Sequence, residues 1–315
     1  MKRLLLPILA FSLVLAFSIQ DASAAWPAKE IKLIIPFTPG GATDAIFRVT
    51  ASGAEKVLGQ TLVPVNMGGA GGSKGARFVK ESKPDGYTIL AGHDFLFTTY
   101  YGGLADFNYD AFEPVCLLTM TPNILAVHKD APFNTFQEMV AYAKANPGKL
   151  SLTYSPASTG TLFFETLFET AKVDINLFRI VSINGTGPQV TNLLGKHVDL
   201  VMGNIPSIFE FVKDGRLKML GVSHDKRLEL IPDVPTFKEL GMDFSFAVNR
   251  FIFVPKGTPR EHIAALEKAY AISAKDPEVI KKIDDLGTLV VYKDSAEVAA
   301  FLKEQDVMYK KVFKK

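Results

Sequence analysis

The chain has 315 residues, of which 48% are hydrophobic and 22% charged, and a formal net charge of +2. Charges of both signs are interspersed, which argues against nucleic acid or an anionic membrane surface as the main partner. A single cysteine, Cys116, rules out an internal disulfide, so the core must hold the fold, and this length and composition can supply one. In chain order, Met1-Lys2-Arg3 is a short basic start and Leu4 to Ile19 an apolar run broken only by Pro7, Ser12 and Ser18. Ala22-Ser23-Ala24 then forms a small-x-small cleavage site. That pattern is a cleavable export signal: the run is shorter than a comfortable span of about 20 residues and has no basic stop-transfer flank. Cleavage after Ala24 is expected to leave a soluble chain from Ala25-Trp26, with no cysteine there to carry a lipid.

Beyond the signal, apolar β-rich runs recur at Ile31–Pro36, Tyr87–Ala91, Val115–Leu118, Ile124–Val127, Leu150–Tyr154, Leu200–Met202, Met219–Val222, Phe251–Val254 and Leu289–Tyr292. Helical stretches with recognisable ends lie between several of them, such as Phe136 to Lys144, stopped by Asn146-Pro147-Gly148. Alternating strands and helices predict mostly parallel sheets covered on both faces. At this length two α/β lobes are expected, with the chain crossing near Thr121-Pro122-Asn123 and again before Phe251. Cys116 sits in an apolar run and is expected to be buried and inert. The closing Lys310-Lys311-Val312-Phe313-Lys314-Lys315 is read as a solvated helix end.

Four strand-to-helix turns built from glycine and hydroxyl residues carry the chemistry. The first is Pro36 to Asp44, with Phe37, Thr38, Gly40, Gly41, Ala42 and Thr43, followed by a helix with Ile46, Val49, Gly53 and Val57 on one face. The second runs from Tyr154 through Ser158, Thr159, Gly160 and Thr161 into a helix from Leu162 to Ala171. The third is Asn184-Gly185-Thr186-Gly187-Pro188, where Pro188 suits a first helical position and Gly195 a helix end. The fourth is Gly203-Asn204-Ile205-Pro206-Ser207. Turns of this kind set free backbone N–H groups and the positive end of a helix at the carboxyl edge of a sheet, where an anion is accepted. Asp44 either caps its helix or accepts from a ligand amine or water.

Other readings find less support. Gly68 to Gly72 lacks the Gly-Lys-Ser/Thr order of a phosphate loop. The histidines His93, His128, His197, His224 and His262 have no metal-ligand spacing, and no Gly-x-Ser-x-Gly elbow is present. Only His93, beside Asp94, is placed near a cleft, as a ligand contact or a structural hydrogen bond. No catalytic residue, metal or cofactor is expected.

With these turns in hand, the sequence resembles the solute-binding proteins of tripartite tricarboxylate transporters, often called Bug receptors, from Trp26 to near the C-terminus. The marks are Trp26-Pro27, Ile31 to Gly41 with Asp44, Gly69-Ala70-Gly71-Gly72 and Pro84-Asp85-Gly86-Tyr87-Thr88-Ile89-Leu90. Further marks are Ala145 to Leu150, Pro232-Asp233-Val234-Pro235-Thr236 and Pro255-Lys256-Gly257-Thr258-Pro259. The resemblance implies a type II-like periplasmic binding protein: residues 25–122 and 247–315 in one lobe, 123–246 in the other, 1–24 as signal peptide. It implies a cleft that holds a ligand carboxylate on Thr38 to Asp44 and Ser158 to Thr161, with Gly203, Asn204 and Ile205 closing over it. Departures from relatives at Val181 to Gly185, at Phe164 and at Asn249-Arg250-Phe251 are expected around the pocket, favouring an aromatic or medium-chain carboxylate over a tricarboxylate. Arg250 is read either as a partner for a distal carboxylate or as a surface-strand residue.

The function implied is a periplasmic, monomeric receptor that delivers a small organic carboxylate to the membrane subunits of a tripartite transporter. A second reading is a sensor module that presents the bound carboxylate to a signalling kinase. An exported enzyme is disfavoured, since no base–nucleophile pair stands out.

Overall fold

The computed structural model describes residues 26–154, 158–183 and 185–313. The export signal and its cleavage site lie outside them. The first third holds β1 (Ile31–Ile35), α1 (Ala42–Leu58), β2 (Leu62–Asn66), α2 (Ser73–Lys80), β3 (Thr88–His93), α3 (Phe95–Tyr101) and the long β4 (Phe112–His128). The middle holds α4 (Phe136–Ala145), β5 (Ser151–Tyr154), α5 (Thr159–Thr170), β6 (Arg179–Ser182), α6 (Thr186–Leu194), β7 (Leu200–Asn204), α7 (Ile205–Lys213) and β8 (Leu217–Val222). The end holds β9 (Ala247–Pro255), α8 (Arg260–Ser273), α9 (Pro277–Asp285), β10 (Leu289–Lys293) and α10 (Ser295–Phe313).

These strands form two sheets, one in each lobe, that share β4. The first runs β2-β1-β3-β9-β4-β10, the second β8-β4-β7-β5-β6. Helical crossovers make β1–β2, β1–β3, β5–β6 and β5–β7 parallel, as the alternation of elements predicts. Every pairing of β4 and β9 is antiparallel, so the sheets are mixed rather than mostly parallel. The reason is that neither is a member of a helix-linked series: β4 runs through both sheets, and β9 pairs only within the first. The runs Val115–Leu118 and Ile124–Val127 are thus one strand, and Pro122 does not break it. Pro122 pairs with Ala247 in the first sheet, and the next residue, Asn123, pairs with Asn204 in the second. Proline supplies no amide at that step, and Asn123 sends its own to Ser223 Oγ at 3.0 Å. The short strands β2 and β6 were not among the apolar runs; β2 carries Pro64 and Asn66, and β6 is mostly exposed.

Several sequence marks prove to be packing devices. Trp26 stacks on His262 with ring centroids 4.5 Å apart and donates to the Asp85 carbonyl, which ties the start of the chain to the Pro84–Tyr87 turn. Cys116 is fully buried. Lys310 to Phe313 of the basic cluster end α10, with Lys311 paired to Glu169 at 3.0 Å, and Lys314 and Lys315 lie outside the described residues. In α1, Ile46 and Val49 pack with Val279 and Ile283 of α9.

Gly53 lets α1 approach α8 closely. An added Cβ would lie 2.2 Å from Ser273 Oγ and 2.9 Å from Val279 Cγ2. Ser273 cannot move freely, because its hydroxyl donates to the Thr50 carbonyl at 2.8 Å. Gly53→Ala is therefore expected to lower unfolding free energy by about 1–3 kcal/mol through overpacking, although alanine is the better helix former. A urea midpoint equal to or above wild type would contradict this account of the α1–α8 contact.

Candidate ligand-binding cleft

Strand register alone locates the cleft. In the first sheet, β3 ends at His93, which pairs with Arg250, three residues from the point where β9 enters that sheet at Ala247. In the second sheet, β7 ends at Asn204, paired with Asn123 where β4 enters it, and β5 runs parallel to β7. The carboxyl ends of β1, β3, β5 and β7 therefore all face the seam between the sheets, where ligands of open α/β sheets are held.

At the end of β1, the turn from Phe37 leads into α1 through Gly40 (φ 80°) and the N-cap Gly41. No side chain caps this helix, and no acceptor among the described residues takes the amides of Ala42, Thr43 and Asp44. Thr38, Gly40 and Gly41 are exposed, and Ala42 and Thr43 are half-buried. Asp44 is occupied: its carboxylate accepts from Gly40 N at 3.0 Å, Arg48 Nε at 2.9 Å and Asn66 Nδ2 at 2.8 Å. Burial would raise its pKa, but these hydrogen bonds outweigh it and hold the carboxyl below its ordinary range. Asp44 therefore does not cap α1; its carboxylate ties the Gly40 turn to Arg48 and Asn66.

Across β1, β3, β9 and β4 runs a row of side chains on the face covered by α1. Phe37 stacks on His93 with centroids 4.8 Å apart. His93 Nδ1 accepts the Phe95 amide at 3.1 Å, so the proton sits on Nε2, which is left as a donor. Arg250, paired in register with both His93 and Thr119, is only 2% exposed. It is a buried guanidinium, which overturns its reading as a surface-strand residue. Its Nη1 donates to Thr121 Oγ1, which also bonds Thr288 Oγ1 at 2.8 Å. Asp94 sits beside this row, accepting from Asn249 N at 2.6 Å and Asn249 Nδ2 at 3.2 Å.

The remaining turns differ from the first. Ser158 and Thr161 form a capping box at the start of α5, with Ser158 Oγ accepting from Gly160 N at 3.2 Å. That helix begins at Thr159, three residues earlier than its apolar pattern indicates. Asn204 and Ser207 form a second capping box at α7. Gly203 is buried because a Cβ there would lie 2.1 Å from Ile208 Cδ1, and Ile205 is 4% exposed against Gly287. These two serve close packing of the seam in this structure. Pro188 is the third residue of α6, not the first, because Gly185 caps the helix. Asn184 lies outside the described residues. Phe164 is fully buried among Tyr154, Phe163 and Phe168, so the expectation that it stands beside the pocket is corrected: an aromatic cluster occupies its surroundings.

Asn66, Thr119 and Thr121 were absent from the expected site, and Asp94 and Asn249 entered it only as neighbours of His93 and Arg250. A signal existed for two of them: Thr119-x-Thr121-x-Asn123 places polar residues at alternate positions of an otherwise apolar strand. A separate cavity of about 410 Å³, lined by Phe136, Val140, Thr170, Val173 and Leu240 among others, contains none of these residues.

A two-lobed α/β fold whose sheets turn their carboxyl edges toward one seam is that of the periplasmic solute-binding proteins. The profile of the tripartite tricarboxylate transporter family receptor matches residues 46–315, and the chain belongs to that family. It is 33% identical over 288 residues to the "UPF0065 protein in the TAR-I ttuE-ttuC' intergenic region" of Agrobacterium vitis, covering 90% of this chain and 82% of that one. Among solved structures, MatC of Rhodopseudomonas palustris with bound malate is 28% identical, with a TM-score of 0.76 and coverage of 91% and 99%. An R. palustris protein solved with adipate is 26% identical, with a TM-score of 0.79 and coverage of 92% and 97%. No helix among the described residues is long and apolar enough to cross a membrane.

His93 and Asp94 respond to acid in opposite senses. Burial, then the Arg250 charge, pushes His93 from 6.5 down to about 3, so its contribution to stability is present above pH 6.5 and lost as pH falls toward 3. Burial pushes Asp94 from 3.8 up to about 7, so its contribution is present below pH 3.8 and lost as pH rises through 7. Relative to wild type, His93→Gln should gain stability and Asp94→Asn lose it as pH is lowered from about 7 to about 4.5. Urea midpoints at both pH values check this, and pH-independent differences from wild type in both variants would contradict it.

Proposed function

We propose that the protein is a periplasmic receptor that captures a small organic carboxylate in the seam between its lobes and delivers it to the membrane subunits of a tripartite transporter. The observation that carries this reading is the uncapped start of α1: adjacent amides without acceptors at the positive end of a 17-residue helix, at the mouth of the cleft. Malate and adipate in two family structures support a carboxylate as the ligand class. Ser158 to Thr161 would face the same ligand from the second lobe on closure, and His93 Nε2 would add a donor. On this reading residues 1–24 are removed during export. The lobes divide at 122/123, where β4 passes from one sheet to the other, and at 246/247, where β9 begins, and the receptor works as a monomer without catalysis.

Thermal shift and calorimetry on residues 25–315, first stripped of co-purified ligand, test the reading with C4 to C8 dicarboxylates, citrate, benzoate-type acids and their amides. An acid that raises the midpoint while its amide does not supports the carboxylate clamp, whereas no shift with any acid overturns it. The helix terminus has its own test in Ala42→Pro. Proline suits the first helical position and Gly41 has the extended ψ of 164° that proline prefers before it, so the fold is kept while one amide donor is deleted. Acid affinity is expected to fall about tenfold with the ligand-free melting temperature unchanged; unchanged affinity would remove the α1 terminus from the site.

A further inference from the structure

The guanidinium of Arg250 is buried with an incomplete set of partners. Among the described residues no carboxylate forms a salt bridge with it; Asp94, whose charge acts on it from beyond ion-pair distance, accepts from Asn249. Nη1 is used by Thr121, and Nε is sealed from solvent with no acceptor. Next to it in register, the hydroxyl of Thr119 is buried and equally without a partner. An ordinary structural arginine is not left this way, because burying a charge is costly unless its donors are taken up. The unused edge belongs to the row that begins at Phe37, immediately before the free amides of α1, and passes through His93.

We infer that Arg250, with Thr119 beside it, is a second anion subsite that receives the far carboxylate of the ligand, and that the protein selects α,ω-dicarboxylates over monocarboxylates of the same length. This rests on the reading of the α1 terminus as the first carboxylate site. The spacing agrees: β1 and β9 are separated only by β3, and two inter-strand steps amount to about 10 Å, which an extended chain of six or so carbons and the reach of an arginine can bridge. Phe37 and His93 lie between the two ends and suit the methylene chain. The fork of the guanidinium matches a carboxylate in a way that an ammonium does not. Arg250 is therefore a specificity-determining residue for the second carboxylate, and the first remains with the helix.

The test compares diacids with monoacids in wild type and Arg250→Met by calorimetry, using succinate, adipate and suberate against butyrate, hexanoate and octanoate. In wild type the best diacid is expected to bind about 10- to 100-fold tighter than its monoacid, the factor that a charge-assisted pair with a buried guanidinium supplies. In Arg250→Met that ratio should collapse toward one while monoacid affinity is kept or improved; Arg250→Lys should restore part of it. The ligand-free melting temperature of Arg250→Met should not fall, since an apolar side chain replaces an unpaired buried charge. A monoacid that binds wild type as well as its diacid overturns the inference and leaves the α1 site standing. So does a diacid preference that survives Arg250→Met, or a loss of stability in that variant with equal weakening of both acids, which would make Arg250 a structural tie to Thr121. Failure of every acid to bind wild type would overturn both readings together.

Discussion

The molecule depends on one strand, β4, remaining unbroken where one sheet gives way to the other. β4 is held by β9 and β10 along its first half and by β7 and β8 along its second, so the lobes share backbone hydrogen bonds and not merely a linker. At the joint one hydroxyl ties β4 to the residue before β9: Ser223 Oγ accepts from Asn123 N at 3.0 Å, and contacts the carbonyls of Asn123 and Phe246. Backbone groups that Pro122 and the change of sheet would strand are thereby satisfied away from water. Any relative motion of the lobes has to be absorbed as twist in a few residues of β4 and β9, which confines it to hinge-like rotation.

That constraint explains why the helix starts around the seam differ. α5 and α7 close their own ends with capping boxes, whereas α1 has only glycine at its cap and leaves its first amides unsatisfied. A helix end with glycine at the cap is less stable by roughly a few tenths of a kcal/mol than one with serine or asparagine there. Asp44 recovers part of this by bonding Gly40 and anchoring Arg48 and Asn66, so the turn is rigid although its outward amides are open. Rigidity with open donors is what preorganised recognition of an anion requires, because little ordering remains to be done on binding.

Much of this architecture was legible because it follows from periodicity and turn chemistry. The apolar runs mark eight of the ten strands among the described residues, with two runs merged in β4, and the glycine-hydroxyl turns mark four helix starts. Capping geometry was less legible, since Ser158 and Gly41 both read as helix entries and only coordinates separate a self-satisfied end from an open one. The buried polar row was missed for a related reason. Thr119 and Thr121 lie on β4, and their meeting with Arg250 of β9 depends on antiparallel pairing between segments about 130 residues apart. The misplacement of Phe164 has a tertiary cause as well: comparison with relatives placed it beside the pocket, but its side chain belongs to the aromatic core.

The pairing of Pro122 with Ala247 has a consequence for how the chain assembles. Everything between them leaves and returns at neighbouring points, so the second lobe is an insertion whose own strands are nearly contiguous, from β4 to β8. The first lobe has no such locality: β3 is flanked by β1 and by β9, which is synthesised more than 150 residues later. Loop closure across the inserted lobe must therefore precede completion of the first sheet. The part of the protein made first becomes whole last, and until β9 arrives β3 presents an open apolar edge of the kind that holdase chaperones cover.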